Sequence, residues 1–242
     1  MNTNYDWAID RIFIKHPNLI KRGAVIAEIG SRDALDGIGL AKRLDGKVYV
    51  FEPDPINRKV CKKNIETMGA GLNLEFYGIA LCAENKEIEF LSIDTDLYDN
   101  RGASGMFPIN FNNRSLRDPD HKRDSVQKPV RVDGKRFDSL GLVSPKLICM
   151  DVQGAELEVL KGFGNMIHQV KVIILETSLS ENYIGGSTFA EIDAFLQSKR
   201  FTLSYTDRFG DKRPKQRWLH KLTKRYTPDF NCIYLNQNNE KS

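Results

Sequence analysis

The chain has 242 residues, of which 40% are apolar and 28% charged, and its formal net charge is +4. That length and apolar content suffice for one sizeable core, so a single domain over residues 1–242 is expected. No run approaches the roughly 18 apolar residues that span a bilayer, the polar, interrupted start argues against a signal peptide, and so small a charge does not by itself demand a nucleic-acid partner.

Cys61, Cys82, Cys149 and Cys232 are scattered, and three of them sit in apolar runs. That is the pattern of buried thiols in a reducing compartment, not of a disulfide framework or a zinc site. A soluble, cytoplasmic protein with no membrane partner is expected.

Residues 1–23 predict an amphipathic helix (Trp7, Ile9, Ile12, Phe13) that covers one edge of a sheet, with a turn at Gly23. Val25-Ile26-Ala27 reads as a buried strand, Gly30 turns the chain, and Ile38, Ala41 and Leu44 keep helical spacing. Val48-Tyr49-Val50-Phe51 is the next buried strand and ends at Glu52. This is half of a nucleotide-binding αβ sheet, whose ligand crevice lies at the carboxyl ends of the strands. A turn residue without a β-carbon lets main-chain N–H groups approach a ligand, and a carboxylate on the next strand can accept both hydroxyls of a ribose. From Gly30 the chain reads Gly-Ser-Arg-Asp-Ala, a departure from G-x-G-x-x-G with Ser31 and Ala34 at positions that a pyrophosphate needs small or bare. That departure weighs against a nicotinamide-dependent oxidoreductase and suits a phosphate-free nucleotide such as S-adenosylmethionine.

Pro53-Asp54-Pro55 stops the strand and opens a helix, striped by Ile56, Val60, Ile65 and Met68 and ended by Gly69-Ala70-Gly71. Residues 72–77 alternate as a strand, and residues 87–91 alternate within a hairpin-like excursion after Ala80-Leu81. Residues 94–128, rich in Asn, Asp, Arg and Gly, predict a long loop or lid and the likeliest seat of substrate contacts. A strand at Val130-Arg131-Val132 should turn at Asp133-Gly134. Leu147-Ile148-Cys149-Met150 is a buried strand ending on Asp151, and Gln153-Gly154-Ala155-Glu156 opens a helix striped by Leu157, Leu160 and Phe163. Residues 170–175 form the continuous apolar run of a central parallel strand, ending on Glu176. A helix around Phe189, Ile192 and Leu196 follows, then strands at 201–205 and 232–235. Between those strands the 208–225 segment carries Lys212, Arg213, Lys215, Arg217, Lys221 and Lys224 with Trp218. Basic residues among aromatics can bind a polyanion, but such a run is more often a solvated face or loop. An RNA-binding protein or RNA methyltransferase using this segment is the alternative, with nucleic acid not the expected partner.

The succession EIGSRDALDG, VYVFEPDP, LICMDVQGAELEVLKG and VKVIILETS resembles the FkbM family of S-adenosylmethionine-dependent methyltransferases over roughly residues 25–235. The resemblance implies an α/β, Rossmann-like class I methyltransferase fold: a seven-stranded, mostly parallel sheet with an antiparallel last strand and helices on both faces. It also implies a cofactor-binding set of Glu28, Gly30, Ser31, Glu52, Pro53, Ala80 and Asp151, with Glu28 as first-motif acid, Glu52 on the ribose, Ala80 near the adenine and Asp151 closing the strand that faces the transferred methyl. Ala34 departs from the family's second glycine, and Gln153 from the glutamate of its D-V-E-G-A-E box.

A sulfonium is already activated, so the protein must chiefly position a nucleophile, and a hydroxyl profits from a general base. The candidates are Asp151, which is preferred, with Glu176, Glu156 and His121. Asp151 and Glu176 could instead hold a divalent cation such as Mg²⁺. The expected acceptor is a hydroxyl of a sugar, glycan or related small molecule, because family members often act on such groups. The Lys-Asp-Lys-Glu tetrad of RNA ribose methyltransferases is absent, since Glu176 stands where it would want a lysine.

Overall fold

The computed structural model describes residues 2–98, 100–112, 126–214 and 229–239. His121 and the basic segment from Lys215 onward lie outside the described residues. The apolar runs become strands: β1 Val25–Ile29, β2 Lys47–Phe51, β3 Leu74–Tyr77, β7 Leu147–Met150, β8 Val172–Thr177, β9 Phe201–Thr206 and β10 Phe230–Asn236. They form one sheet in the order β3-β2-β1-β7-β8-β10-β9, parallel except for β10, which runs antiparallel between β8 and β9. Between β1 and β7 the strand order reverses direction, and a ligand crevice opens at such a switch point.

Alternate side chains sort to the two faces. Ala27, Ile29, Ile148, Met150, Ile173 and Leu175 face α4 (Glu156–Gly162) and α5 (Phe189–Ser198), meeting Val159, Leu160, Ile192 and Leu196. Ile26, Val48, Val50, Cys149 and Ile174 face α1 (Asp6–Lys15), α2 (Leu35–Leu44) and α3 (Pro55–Met68), meeting Ile9, Ile12, Leu40, Leu44 and Cys61. Each fully buried Leu or Ile contributes about 1.5–3 kcal/mol. Local signals begin the helices where they are needed: the Asp54 carboxylate accepts N–H bonds from Ile56 and Asn57 ahead of α3, and Thr188 and Glu191 form a capping box for α5.

Three elements differ from the expectation. The first is α1, which lies on a sheet face rather than only along an edge, burying Ala8, Ile9 and Ile12. It touches the edge strand β9 through Trp7 and through Arg11, whose guanidinium stands 3.5 Å from the Tyr205 ring centre. An apolar helical stripe removes more area from water on a face than on an edge.

The second is the expected turn at Asp133-Gly134, which is absent, because β6 (Gln127–Lys135) runs straight through it. Gly134 pairs with both Lys86 and Ala80, and a Cβ there would meet the Lys86 carbonyl at 2.7 Å, so the glycine permits close strand packing rather than a bend. The resulting second sheet has the order β4 (Ala80–Leu81), β6, β5 (Lys86–Ile93), so β4 and β5 are not a hairpin.

The third is the front of the 94–128 stretch, which is folded. It holds a 3-10 turn at Arg101–Ala103 and bridges from Gly105 to Leu91 and from Ile109 to Tyr183. Ile93, Ala103, Ile109, Val126 and Tyr183 form its small apolar cluster, too sparse in sequence to give a period. Among the described residues no helix is long and apolar enough to cross a membrane.

Candidate active site

The site begins with the turn after β1. Gly30 sits at φ +83, and a Cβ there would lie 1.9 Å from the Asp151 carbonyl oxygen. The glycine therefore serves the approach of two strand ends. The turn's amides are used internally and are not turned to a ligand, contrary to the expectation for a glycine turn. Gly30 and Ser31 donate to the Phe51 carbonyl (3.0 and 3.1 Å), Ala34 donates to the Ser31 hydroxyl (2.9 Å), and Arg32 donates to Glu52 Oε2 (2.8 Å). Ala34, where the family pattern has glycine, keeps the left-handed conformation at φ +63.

Glu52 is 4% exposed, and its carboxylate is gripped from behind by Arg32 N–H on Oε2 and Asp54 N–H on Oε1 (2.7 Å). Burial pushes its pKa up to about 7 despite those bonds. It stands on the wall of a cavity shared with Gly30, Pro53, Ala80 and Asp151. The opposite walls are apolar, from Ile29, Phe51, Ile79, Leu81, Phe90 and Met106. Asn57 lines the same cavity and its Oδ1 is buried without a hydrogen-bond partner. A carboxylate beside an apolar slot with an unmatched acceptor suits a nucleoside: hydroxyls for the carboxylate, a flat base for the slot and an exocyclic amine for the amide oxygen.

A second, polar cavity of about 330 Å³ adjoins it, sharing Gly30, Arg32, Gly102 and Asp151 and adding Ser31, Glu176 and Asn231. Asp151 and Glu176 therefore line one space, as their places at the ends of adjacent strands β7 and β8 imply. Its outer wall is the N-terminal segment: Asn4 donates twice to the Asp36 carboxylate (2.8 Å each), and the buried Tyr5 feels the Asp151 and Asp36 carboxylates. Burial and those carboxylates hold the Tyr5 phenol neutral, a hydroxyl donor at the site.

Two expected acids have other surroundings. Glu28 lines neither cavity. It is 2% exposed beneath α2, accepts the Ser31 hydroxyl on Oε1 (2.8 Å), leaves Oε2 without a partner, and is pushed well above the usual carboxylate range by burial. Its neighbours make it a brace for the turn. Glu156 folds back on its own loop, accepting N–H bonds from Val152 (3.2 Å) and Gly154 (3.3 Å), and burial raises its pKa to about 7.

Gln153, held at φ +56, donates through Nε2 to Asp151 Oδ1 and accepts on Oε1 from the Tyr183 hydroxyl. The amide thus orients the carboxylate that a second acid in its place would repel. Among the described residues no group of three or more His, Cys, Asp or Glu is placed to hold a metal ion.

Several lining residues had no sequence signal. Arg101, Gly102, Ser104 and Met106 come from the polar stretch and wall the apolar cavity rather than only an acceptor region. Asn4 and Tyr5 precede the amphipathic stripe that drew attention to the N-terminus. Asn57 does carry a signal, since it lies one helical turn beyond Asp54, the residue that caps α3.

This strand order, with an antiparallel strand inserted before the edge, is the class I methyltransferase fold. The chain belongs to the FkbM methyltransferase family, whose domain model, Methyltransferase FkbM domain, matches residues 25–203. The chain is 30% identical over 177 residues to the 2-O-methyltransferase NoeI of Sinorhizobium fredii (strain NBRC 101917 / NGR234), an alignment covering 69% of this chain and 68% of NoeI. The crystal structure of methyltransferase FkbM from Methylobacillus flagellatus KT superposes over 89% of this chain with a TM-score of 0.50 at 15% identity, a likeness of fold. This chain spans 44% of that protein's length.

Proposed function

We propose that this chain transfers a methyl group from S-adenosylmethionine to a hydroxyl of a sugar, glycan or related polyhydroxylated small molecule. The observation that carries the reading is Glu52: a buried carboxylate fixed by two backbone amides on the rim of an apolar slot. Its remaining lone pairs suit the two ribose hydroxyls of the cofactor, while Ala80, Leu81 and Phe90 suit the adenine and Asn57 Oδ1 its amine. When bound, S-adenosylmethionine supplies an already activated methyl group. The protein's share is then orientation. Asp151, set by Gln153, is the group to hold the acceptor hydroxyl and take its proton, and Glu176 is the second carboxylate of the same space. His121 stays a candidate base, and the carboxylate pair remains compatible with a divalent cation. Hydroxyl acceptors accord with NoeI being a 2-O-methyltransferase.

The test has two arms. Calorimetry with S-adenosylhomocysteine should give binding that Glu52→Ala weakens at least tenfold, since each charge-assisted hydrogen bond lost contributes about 1.5–3 kcal/mol. Methyl transfer from radiolabelled S-adenosylmethionine should be seen with methyl glycosides and not with RNA. Wild-type affinity in Glu52→Ala would remove the cofactor assignment, and transfer to RNA alone would remove the acceptor class.

A further inference from the structure

The polar cavity of about 330 Å³ that holds Asp151 has an inner and an outer wall. Strand ends and the turn after β1 supply the inner one, through Asp151, Glu176, Gly30 and Ser31. The outer one is Asn4 and Tyr5, which precede α1 and lie outside the residues 25–203 that the family's domain model matches. Selectivity carried by that wall is therefore not fixed by membership of the family.

The segment is fastened to α2 more than once. Asn4 donates through its amide N–H and its Nδ2 to the two oxygens of Asp36, at 2.8 Å each. Asp6 pairs with Arg43 at 2.7 Å while it accepts from the Thr3 amide and hydroxyl (2.8 and 2.9 Å). Behind them Ala8, Ile9 and Ile12 share an apolar cluster with Leu40 and Leu44. Tyr5 belongs to that cluster and is 7% exposed, yet it also forms part of the cavity wall. The hydrogen bonds that fix the segment run through Thr3, Asn4, Asp6 and the Tyr5 amide, and the Tyr5 hydroxyl takes part in none of them. A buried tyrosine ordinarily gives its hydroxyl a partner. Here the phenol is rigidly held at a cavity and kept protonated by burial and by the nearby Asp151 and Asp36 charges, so it is a donor set in place for a ligand.

We infer that the Tyr5 hydroxyl donates a hydrogen bond to an oxygen of the acceptor, and that the Asn4–Asp36 clasp holds it in position to do so. The inference rests on the reading of this cavity as the acceptor site. It makes Tyr5 a specificity-determining residue and Asn4 a positioning residue that acts through it. An acceptor that offers an oxygen to this donor is favoured over an analogue that does not.

The experiment measures radiolabelled methyl transfer to methyl hexopyranosides with wild type, Tyr5→Phe, Asn4→Ala and the double variant. Calorimetry with S-adenosylhomocysteine and thermal unfolding accompany it. Tyr5→Phe keeps the ring and its packing, so the unfolding midpoint and the S-adenosylhomocysteine affinity should stay at their wild-type values. The acceptor KM should rise about fivefold, the scale of one neutral hydrogen bond, with kcat nearly kept, as for binding shared by ground and transition states. Asn4→Ala should raise KM about threefold beside Tyr5 and not at all beside Phe, because residues that act through one group are not additive. A wild-type KM in Tyr5→Phe would overturn the inference while transfer to glycosides still stood. Weakened S-adenosylhomocysteine binding in Tyr5→Phe would overturn it too, by moving Tyr5 to the cofactor. Equal effects of Asn4→Ala in both backgrounds would overturn the role of the clasp. Failure of wild type to methylate any glycoside, with S-adenosylhomocysteine still bound, would overturn the polyol reading and this inference together.

Discussion

At the scale of single residues, the carboxylates of this site are distinguished by what surrounds them more than by their letters. Glu52, Glu28 and Glu156 are all buried glutamates with raised pKa values, yet only Glu52 faces the slot. Because its pKa stands at about 7 in the free protein, two ribose hydroxyls donating to it should favour the ionised form and lower that value. Cofactor binding near pH 6.5 should therefore release a fraction of a proton. Calorimetry of S-adenosylhomocysteine binding in buffers of different ionisation enthalpy measures it, and the release should vanish in Glu52→Gln. For Glu28 the expectation is the reverse. Burial beneath α2 favours its neutral form, so Glu28→Gln should cost less than about 1 kcal/mol, whereas Glu28→Ala should lose about 2–4 kcal/mol through the cavity and the stranded Ser31 hydroxyl, as thermal unfolding would report.

At the scale of elements, the turn between β1 and α2 joins the sheet to the crevice. Its amides hold β2 through Phe51 and aim Glu52 through Arg32, so its shape sets the ribose contact indirectly. Gly30→Ala should be severe, since the methyl would sit 1.9 Å from the Asp151 carbonyl at a φ of +83. Relieving that overlap means moving β1 and β7 ends apart, at about 2 kcal/mol or more. The expected readout is a lowered unfolding midpoint together with at least a tenfold loss of S-adenosylhomocysteine affinity. A stability loss without an affinity loss would mean that the turn does not shape the site. The small β4-β6-β5 sheet acts similarly from the other side, bringing Ala80, Leu81 and Phe90 to the slot.

For the whole molecule, three buried glutamates whose folded pKa values lie above their ordinary value couple stability to pH. Between about pH 4.5 and 7 the folded chain keeps protons on Glu52 and Glu156 that the unfolded chain has released, so stability falls as pH rises through that window. Each of these two ionisations costs about 3 kcal/mol once complete. Chemical unfolding at pH 5 and pH 8 should show the free protein more stable at the lower pH by a few kcal/mol in this contribution. Glu52→Gln with Glu156→Gln should flatten the slope, and an unchanged slope would place the coupling elsewhere.

The strands and helices were legible because their signals are local. Residues 147–150 and 172–175 are unbroken apolar runs, Ile38, Ala41 and Leu44 recur at helical spacing, and Asp54 and Thr188 cap the helices that follow them. The same periodicities settled the class of fold, since strands buried on both faces and alternating with helices require a parallel sheet. Gly30, Glu52 and Asp151 stand out in the sequence because each follows such a strand, whereas Ala80 is marked only by the family resemblance. Which neighbours they meet was decided only by tertiary structure. Glu28 lies within β1 and Glu52 directly follows β2, but the two-residue alternation of a strand turns Glu28 under α2. Gly134 looked like a turn and is instead a close strand contact, a difference set by Lys86 on another strand. Asn4, Tyr5 and Asn231 reach the cavity of Asp151 from opposite ends of the chain, and no local period records a wall that forms only when distant segments pack side by side.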